Sequence, residues 1–408
     1  MPARIAVVAL GVLLALPHAA RAATWVVTTT SDSGAGSLRA AVQSAEASPD
    51  ADTIVFDPSL AGATITLSTT AGTDFGGSSA LVITGELVID GTAAPGLTIE
   101  PAESAPSMRF LMVDDGAATG ADVTVRRLSI RRFSATSAPV GLAVSSAPSA
   151  ADGLGGCLLN RGGMLAIEES TIGGCMVVGS AGTAYGGGIA NYDGTLVVRR
   201  SAIIGNGILP IVGGSGGAIA NLQVSSTAAT TVESSTLIDN MAESEALYDY
   251  AGTVTVESST LMATAALPLI DASPGALLSM GSSILVGTCA EGVTVESLGY
   301  NVAVLLVPGS CGLAGIGDQA GVPLGDLGIV GCYLAGGPTV TCPLASTSVA
   351  IDTGSPDCPV LDQRRVIRPL PGSSGAPAKC DSGAVEYDAL LIFGDGFETG
   401  DANAWYQG

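Results

Sequence analysis

A twelve-residue pattern that recurs six times between Asp122 and Thr288 constrains this chain more than any other feature. The copies read DVTVRRLSIRRF from Asp122, MLAIEESTIGGC from Met164, TLVVRRSAIIGN from Thr195, ATTVESSTLIDN from Ala229, TVTVESSTLMAT from Thr253 and LLSMGSSILVGT from Leu277. Positions two, four and nine are mostly apolar: Val123, Val125 and Ile130 in the first copy, Leu196, Val198 and Ile203 in the third, Val254, Val256 and Leu261 in the fifth. Apolar residues two apart share one face of a strand, and the polar pair that follows bends the chain before the next apolar anchor. Successive copies start 42, 31, 34, 24 and 24 residues apart. Short β segments recurring every twenty-odd residues predict a solenoid whose coils bury their faces against one another, with loop insertions in the longer intervals. The expected fold is all-β, a single-stranded right-handed parallel β-helix.

Composition agrees with a narrow core of stacked aliphatics and tight corners. The 408 residues are 47% hydrophobic and 4% aromatic, with 56 glycines. The N-terminus has the form of a cleavable secretory signal over residues 1–22: Arg4, an apolar run over 5–16, and Ala20-Arg21-Ala22 as a small-x-small cleavage site. No later stretch is apolar for long enough to span a bilayer, so no transmembrane segment is expected in the mature chain. The expected location is the medium or the bacterial cell surface. Cleavage removes His18, the one histidine, together with Arg4 and Arg21, which takes the formal charge from −22 to −24 and leaves Lys379 as the single lysine.

Such acidity argues against nucleic acid or anionic lipid as partners, because a phosphate surface needs clustered Lys and Arg. It would also repel a polyanionic sugar unless a cation bridged the two. Solubility explains the charge most simply; calcium is the cofactor it could draw, and no other is expected. Eight cysteines in an exported chain point to disulfides. Sequence cannot choose among all their pairings, but the short-range pairs Cys289–Cys311, Cys332–Cys342 and Cys358–Cys380 would staple the C-terminal third. Cys157 and Cys175 could join strands of one coil. Without a CxxC motif or a mature histidine, a zinc site is not expected.

The organisation then follows along the chain. Residues 23–60 form an N-terminal cap, with a strand over 25–29, a helix opened by Ser37 as N-cap, and a strand over 54–56. Coils occupy 61–288, interrupted by an Ala, Ser and Pro-rich surface insert over 135–151. Within them GGCLLN, GGGIAN and GGAIAN recur, ending on Asn160, Asn191 and Asn221. Their glycine pairs suit coil corners, and the asparagines should stack as a ladder along the axis. Residues 289–388 are irregular and close the solenoid, and 389–408 form a tail.

Several stretches resemble known families. TTTSDSGAGSLRAAVQSA followed by DTIVFDPSL resembles the N-terminal segment of secreted bacterial parallel β-helix proteins, where a helix caps a pectate-lyase-like solenoid. The GGxI and xxxN repeats are similar to those of polymorphic outer-membrane proteins. About 90 residues resemble the choice-of-anchor Q region, carried by Tyr300-Asn301, AIDTG over 350–354, Cys358, Asp362-Gln363-Arg364, Arg368-Pro369 and CDSGAVE over 380–386. That resemblance implies no enzymatic role, and Arg365 departs from it where the family has glycine. Asp352, Asp362, Asp381 and Glu386 with Arg364 and Arg368 are expected to form an ion-pair lattice over the last coil. The FGDGFETGD tail, with Trp405 after it, is similar to C-terminal sorting tags of exported gammaproteobacterial proteins; Asp395, Glu398 and Asp401 are its candidate calcium ligands.

Catalytic signals are sparse. With no mature histidine there is no Ser-His-Asp or Cys-His set. Arg126 and Arg199 should share a column with Glu168, Glu233 and Glu257, an ion-pair stack on the solvent face. Arg127, Arg131, Arg132 and Arg200 also point outward. Asp114-Asp115 reads as a turn, since adjacent strand residues face opposite ways. No catalytic, cofactor-binding or metal-binding residue is therefore assigned. The expected role is a monomeric, non-catalytic surface or secreted protein for adhesion or carbohydrate contact, its partner a polysaccharide or cell-surface glycan. The alternative is a polysaccharide lyase or glycoside hydrolase using acidic residues with calcium. An enzyme would show clustered carboxylates and an arginine in a cleft; a binding protein would show a broad, repetitive face.

Overall fold

The computed structural model describes residues 22–387 apart from 72–74, 115–119, 137–147, 149–151, 180–183, 210–213, 264–266, 306–310 and 374–376. The signal segment, the tail with Asp395, Glu398 and Asp401, and most of the 135–151 insert lie outside the described residues. All six repeats are coils of one parallel β-helix. Positions one to five build a ten-stranded sheet, sheet 1, through strands such as Asp122–Arg126, Met164–Glu168 and Thr195–Arg199. Positions eight to ten build a second ten-stranded sheet, sheet 2, through Ser129–Arg131, Thr171–Gly173 and Ala202–Ile204. A seven-stranded sheet 3 closes each coil, from Ser79–Ile83 to Ile270–Ala272. Parallel crossovers of this kind are right-handed. At about 4.8 Å per coil, ten strands make a solenoid roughly 45 Å long.

Register turns the sequence repeat into columns. Val123 pairs with Leu165 and Leu165 with Leu196, and all three are fully buried. The corner between sheets 1 and 2 is a left-handed residue at position six of every copy: Arg127, Glu169, Arg200, Ser234, Ser258 and Ser282, with φ between 46° and 53°. Each costs on the order of 1 kcal/mol for a side chain other than glycine. A serine ladder at position seven offsets that strain. Ser235 Oγ donates to Glu233 O at 2.8 Å and accepts the Ser201 N–H at 3.1 Å, and Ser201, Ser259 and Ser283 repeat the arrangement.

The opposite corner needs glycine. Gly186 has φ 70°, and a Cβ on its neighbour Gly187 would lie 2.5 Å from Gly217 O of the next coil. Beside this corner the expected asparagine ladder is present. Asn160 Nδ2 donates to Asn191 Oδ1, Asn191 Nδ2 to Asn221 Oδ1, and Asn221 Nδ2 to Asp249 Oδ1, each at 2.8 Å. A second, shorter ladder links Asn206 to Asn240 at 3.0 Å. All four suggested cysteine pairs are disulfides.

Strand pairing carries the coils beyond both expected limits. Thr24–Val27 and Asp52–Phe56 are the first two strands of sheet 1, so the solenoid begins inside 23–60. The Leu38–Glu46 helix, capped by Ser37 Oγ, buries Leu38, Ala41, Val42 and Ala45 against that first coil. At the other end Glu296–Gly299 and Val302–Leu305 extend sheets 1 and 2 past residue 288. A register shift between Met280 and Gly281 breaks the pattern there and hides this coil from the sequence. Ala135, expected in a surface insert, is fully buried in the strand Ser134–Thr136.

The C-terminal lattice forms, but away from the last coil. Asp362 pairs with Arg364 at 2.8 Å and Glu386 with Arg368 at 3.5 Å, while Asp381 Oδ1 accepts the Asp352 N–H. The segment carrying them runs back along the flank of sheet 2. Ser382 Oγ donates to Tyr300 O, Gly383 N to Ser282 O, and Ala384 N bonds Thr260 Oγ1. Gln363 reaches Thr236 Oγ1 and Ser201 O. These partners span five coils, so the segment is a longitudinal strap rather than an end plug. Outward polar residues of the repeat, such as Thr236 and Thr260, supply its hydrogen bonds and are buried beneath it.

Arg365 fastens the far end of the strap. Its Nε lies 2.9 Å from Glu169, which also binds Arg127 at 2.7 Å and Arg200 at 3.3 Å. Burial alone would raise the Glu169 carboxyl, but hydrogen bonds from Arg127 and Arg365 outweigh it and hold the group below its ordinary value. Arg365 itself is left-handed, φ 73°, which explains why glycine suits this turn. Arg365→Ala keeps the strain and loses the pair, so it should cost roughly 1–2 kcal/mol. Arg365→Gly relieves the strain and should fall within about 1 kcal/mol of the native chain. Urea midpoints of the two variants check the difference.

Candidate functional site

The central strands of sheet 3 alternate. In Ile189–Tyr192, Ile189 and Asn191 face the core, leaving Ala190 and Tyr192 outside; in Leu247–Tyr250, Leu247 and Asp249 face inward, leaving Tyr248 and Tyr250 outside. Two outward columns result. One runs Val82, Met112, Leu159, Ala190, Ala220, Tyr248, Asp271; the other runs Asp114, Arg161, Tyr192, Leu222, Tyr250.

Aromatic rings converge on this face. Four of the eight tyrosines, Tyr185, Tyr192, Tyr248 and Tyr250, and one phenylalanine, Phe75, pack there with Met112, Leu154, Leu159, Ala190, Ala220 and Leu222. Tyr185 stacks on Tyr248 with centroids 5.6 Å apart, and Phe75 meets Tyr192 edge to face at 5.1 Å. The Arg161 guanidinium lies 4.2 Å over the Phe75 ring and 3.2 Å from Asp114. The alanines keep the floor low, while Phe75, Tyr192, Tyr248 and Tyr250 stay partly exposed above it.

A fully buried arginine positions part of this cluster. Arg109 Nη1 donates to Phe75 O at 3.0 Å, and its Nη2 binds Gly76 O. No carboxylate among the described residues lies at ion-pairing distance, and burial lowers the guanidinium to about 9. Arg109 thereby clamps the backbone that carries Phe75 against the sheet. Tyr192 and Tyr248 are held neutral. Burial raises Tyr248, helped by Tyr185 and Asp271, and burial with Asp193 raises Tyr192 against the opposing pull of Arg161. The face therefore offers ring surface and phenolic donors.

A second feature lies between sheet 1 and the strap. An open groove of about 350 Å³ is lined by Arg200, Glu233, Glu257, Asp357 and residues 358–361. Glu233 and Glu257 are register partners in adjacent coils. Glu233 is taken up by Arg199 at 3.0 Å, which also lies 3.7 Å from Glu168; Arg126 joins Glu168 to Asp90. The expected ion-pair column is thus present from Asp90 to Glu233; Glu257 continues it in register but joins no ion pair among the described residues. Asp114 ends a strand and binds Arg161, whereas Asp115 lies outside the described residues. Arg132 pairs with Glu100 at 3.7 Å, Arg131 bonds Ser129, and Lys379 is exposed in the C-terminal segment. Among the described residues no three His, Cys, Asp or Glu side chains converge as metal ligands.

No family model and no curated protein matches the chain. Two solved structures are similar to it, each at 13% identity. The major allergen Jun a 1 from cedar pollen has a TM-score of 0.34 over 73% of this chain and 77% of that one. Pectate lyase Pel9A has 0.36 over 91% of this chain and 98% of that one. The parallel β-helix rests on the strand pairing itself.

The aromatic face escaped the sequence reading because its members are far apart and the short strands showed only their ladder residues. The signal is nonetheless there: NY at 191–192 and YDY at 248–250 place tyrosines beside inward-facing Asn191 and Asp249. Once a residue is assigned to the ladder, its neighbours must point outward.

Proposed function

We propose that this is an exported, non-catalytic protein that contacts polysaccharide through the outer face of sheet 3. The observation that carries the reading is the gathering of Phe75, Tyr185, Tyr192, Tyr248 and Tyr250 on one face of a chain with 4% aromatics. Packing holds the rings in place beforehand, so a sugar stacks on them without freezing mobile side chains. Four disulfides fit an oxidising compartment outside the cytoplasm. Secretion or display at the cell surface, action as a monomer and independence of any cofactor complete the proposal. The reading includes no nucleic-acid partner, since a formal charge of −22 repels phosphate.

The sheet 1 groove supports a second reading, since carboxylates beside an arginine in a cleft are what a polysaccharide-cleaving enzyme needs. One experiment separates the two. Binding and product release are followed together on a panel of polysaccharides, with and without calcium, for the native protein, Tyr192→Ala/Tyr248→Ala and Glu233→Gln/Glu257→Gln. The binding reading expects retention without cleavage, lost in the tyrosine variant and kept in the glutamine variant. Cleavage abolished by the glutamine pair would establish the enzyme instead.

A further inference from the structure

Building on that glycan-face reading, we propose that the ligand is a neutral polysaccharide of β-linked pyranoses, lying parallel to the solenoid axis with one sugar per coil. The first support is the spacing of the rings. Tyr192 pairs with Leu222 and Leu222 with Tyr250, so the two tyrosines stand in one column two coils apart. That separation is about 10 Å, the length of two pyranose rings in an extended chain. A β-linked chain with equatorial bonds at both ends of each ring is nearly straight and presents the same ring face at every second sugar. It can therefore stack on Tyr192 and Tyr250 together, with the intervening sugar over Leu222. An α-linked chain curls away from a straight column after one contact.

The second support is chemical. Aromatic faces complement the axial C–H surface of a pyranose whose hydroxyls are equatorial, and the phenolic hydroxyls can donate to the sugar edge. The third is electrostatic. Asp271 lies near Tyr248, with Glu243 near Asp271 in turn, and Asp152 and Asp193 lie near Tyr192, in a chain of formal charge −22. Arg161, the cation beside the rings, is already paired with Asp114. A polyanionic sugar meets repulsion along the whole face, whereas a neutral one does not. The face from Val82 to Tyr248, both partly exposed at the ends of a floor of buried Met112, Leu159, Ala190 and Ala220, crosses six strands, about 24 Å, which sets the footprint at roughly five sugars.

The test is titration of the intact protein with neutral β-1,4-linked gluco-oligosaccharides of increasing length. α-1,4-linked gluco-oligosaccharides, oligogalacturonate and oligoglucosamine serve as comparisons. Affinity should climb with each added β-linked sugar, level off near five or six, and be unchanged by high salt. Tyr192→Ala and Tyr250→Ala should each weaken binding of the longest chain roughly tenfold or more. Tyr192→Phe, which keeps the ring and loses the phenol, should recover most of the affinity that Tyr192→Ala loses, and unchanged melting temperatures of the alanine variants guard against a folding defect. Equal affinity for the α-linked series would overturn the straight, axial path. Tighter, salt-sensitive binding of oligogalacturonate or oligoglucosamine would overturn the neutral class while leaving a glycan face in place. Failure of a normally melting protein to bind any of these, or any polymer of the wider panel, would overturn both readings.

Discussion

Asn191→Leu, which keeps the branched shape of the side chain but adds bulk and removes its polar atoms, is expected to lower the stability of the fold by roughly 4 kcal/mol. Asn191 is fully buried, and its Nδ2 donates to Gly194 O at 2.8 Å, Asn221 Oδ1 at 2.8 Å and Ala229 O at 3.1 Å. Its Oδ1 accepts from Asn160 at 2.8 Å. Leucine removes these bonds and a longer one to Thr230 Oγ1 at 3.4 Å, and takes the side-chain amide donor from the Gly194 carbonyl of the turn and the Ala229 carbonyl of the next coil. Each net bond contributes about 1 kcal/mol, and a buried group left unpaired costs more. The double variant Asn160→Leu/Asn191→Leu should cost less than the sum of its parts, because the bond between the two residues can be lost only once. Urea unfolding of the three variants measures this, and additive losses would show that the ladder is a row of independent turns.

Acidification from pH 7 to pH 4 should stabilise the protein, against the usual trend for a chain this acidic. One cause is Asp249, the last member of the ladder, whose partner in the next coil is Ala272. Asp249 Oδ1 accepts from Asn221 and Gly252, but Oδ2 is buried without a hydrogen-bond partner. Burial raises the carboxyl to about 6, against the pull of the Asn221 and Gly252 hydrogen bonds, from 3.8 in the unfolded chain. Between those values the folded state holds a proton that the unfolded state has lost, so stability falls as pH rises through the window. The full change is roughly 3 kcal/mol. Asp381, pushed to about 7 by burial and by Glu386, acts in the same direction.

Asp32 and Glu169 run the other way. Burial would raise both, but hydrogen bonds, led by those from Arg39 and Arg127 respectively, hold them below their ordinary values. Their contributions are lost only at lower pH, as it falls through their folded values. Stability should therefore peak near pH 4. Asp249→Asn, which replaces the lone carboxylate oxygen with a donor like those of the other ladder residues, should add about 2 kcal/mol at pH 7 and lessen the slope, leaving the share that Asp381 contributes. Thermal melts across pH for the two proteins check both the sign and the residue.

The central fold was legible because each coil repeats the same physical problem. Val123, Leu165 and Leu196 declare the core column, and Asn160, Asn191 and Asn221 the ladder, since both need one residue type at one register. The serine ladder was half visible: Ser201, Ser235, Ser259 and Ser283 stand at position seven, but its partners are main-chain groups that sequence does not mark. The strap was not legible as such. Its ion pairs could be read from Asp362, Arg364, Arg368 and Glu386, but its path depends on Gln363, Ser382 and Ala384 meeting coils far away in sequence. The candidate site was least legible, because Tyr185 and Tyr248 are 63 residues apart and meet only after two turns of the solenoid.

The most direct measurement of the glycan-face claim is fluorine NMR of protein carrying 3-fluorotyrosine, titrated with soluble β-linked polysaccharide. Resonances of Tyr192, Tyr248 and Tyr250, assigned by single Tyr→Phe variants, are predicted to shift together, while Tyr300 and Tyr333 stay fixed. Shifts confined to residues outside sheet 3, or a glycan that binds with all three of these signals unmoved, would contradict it.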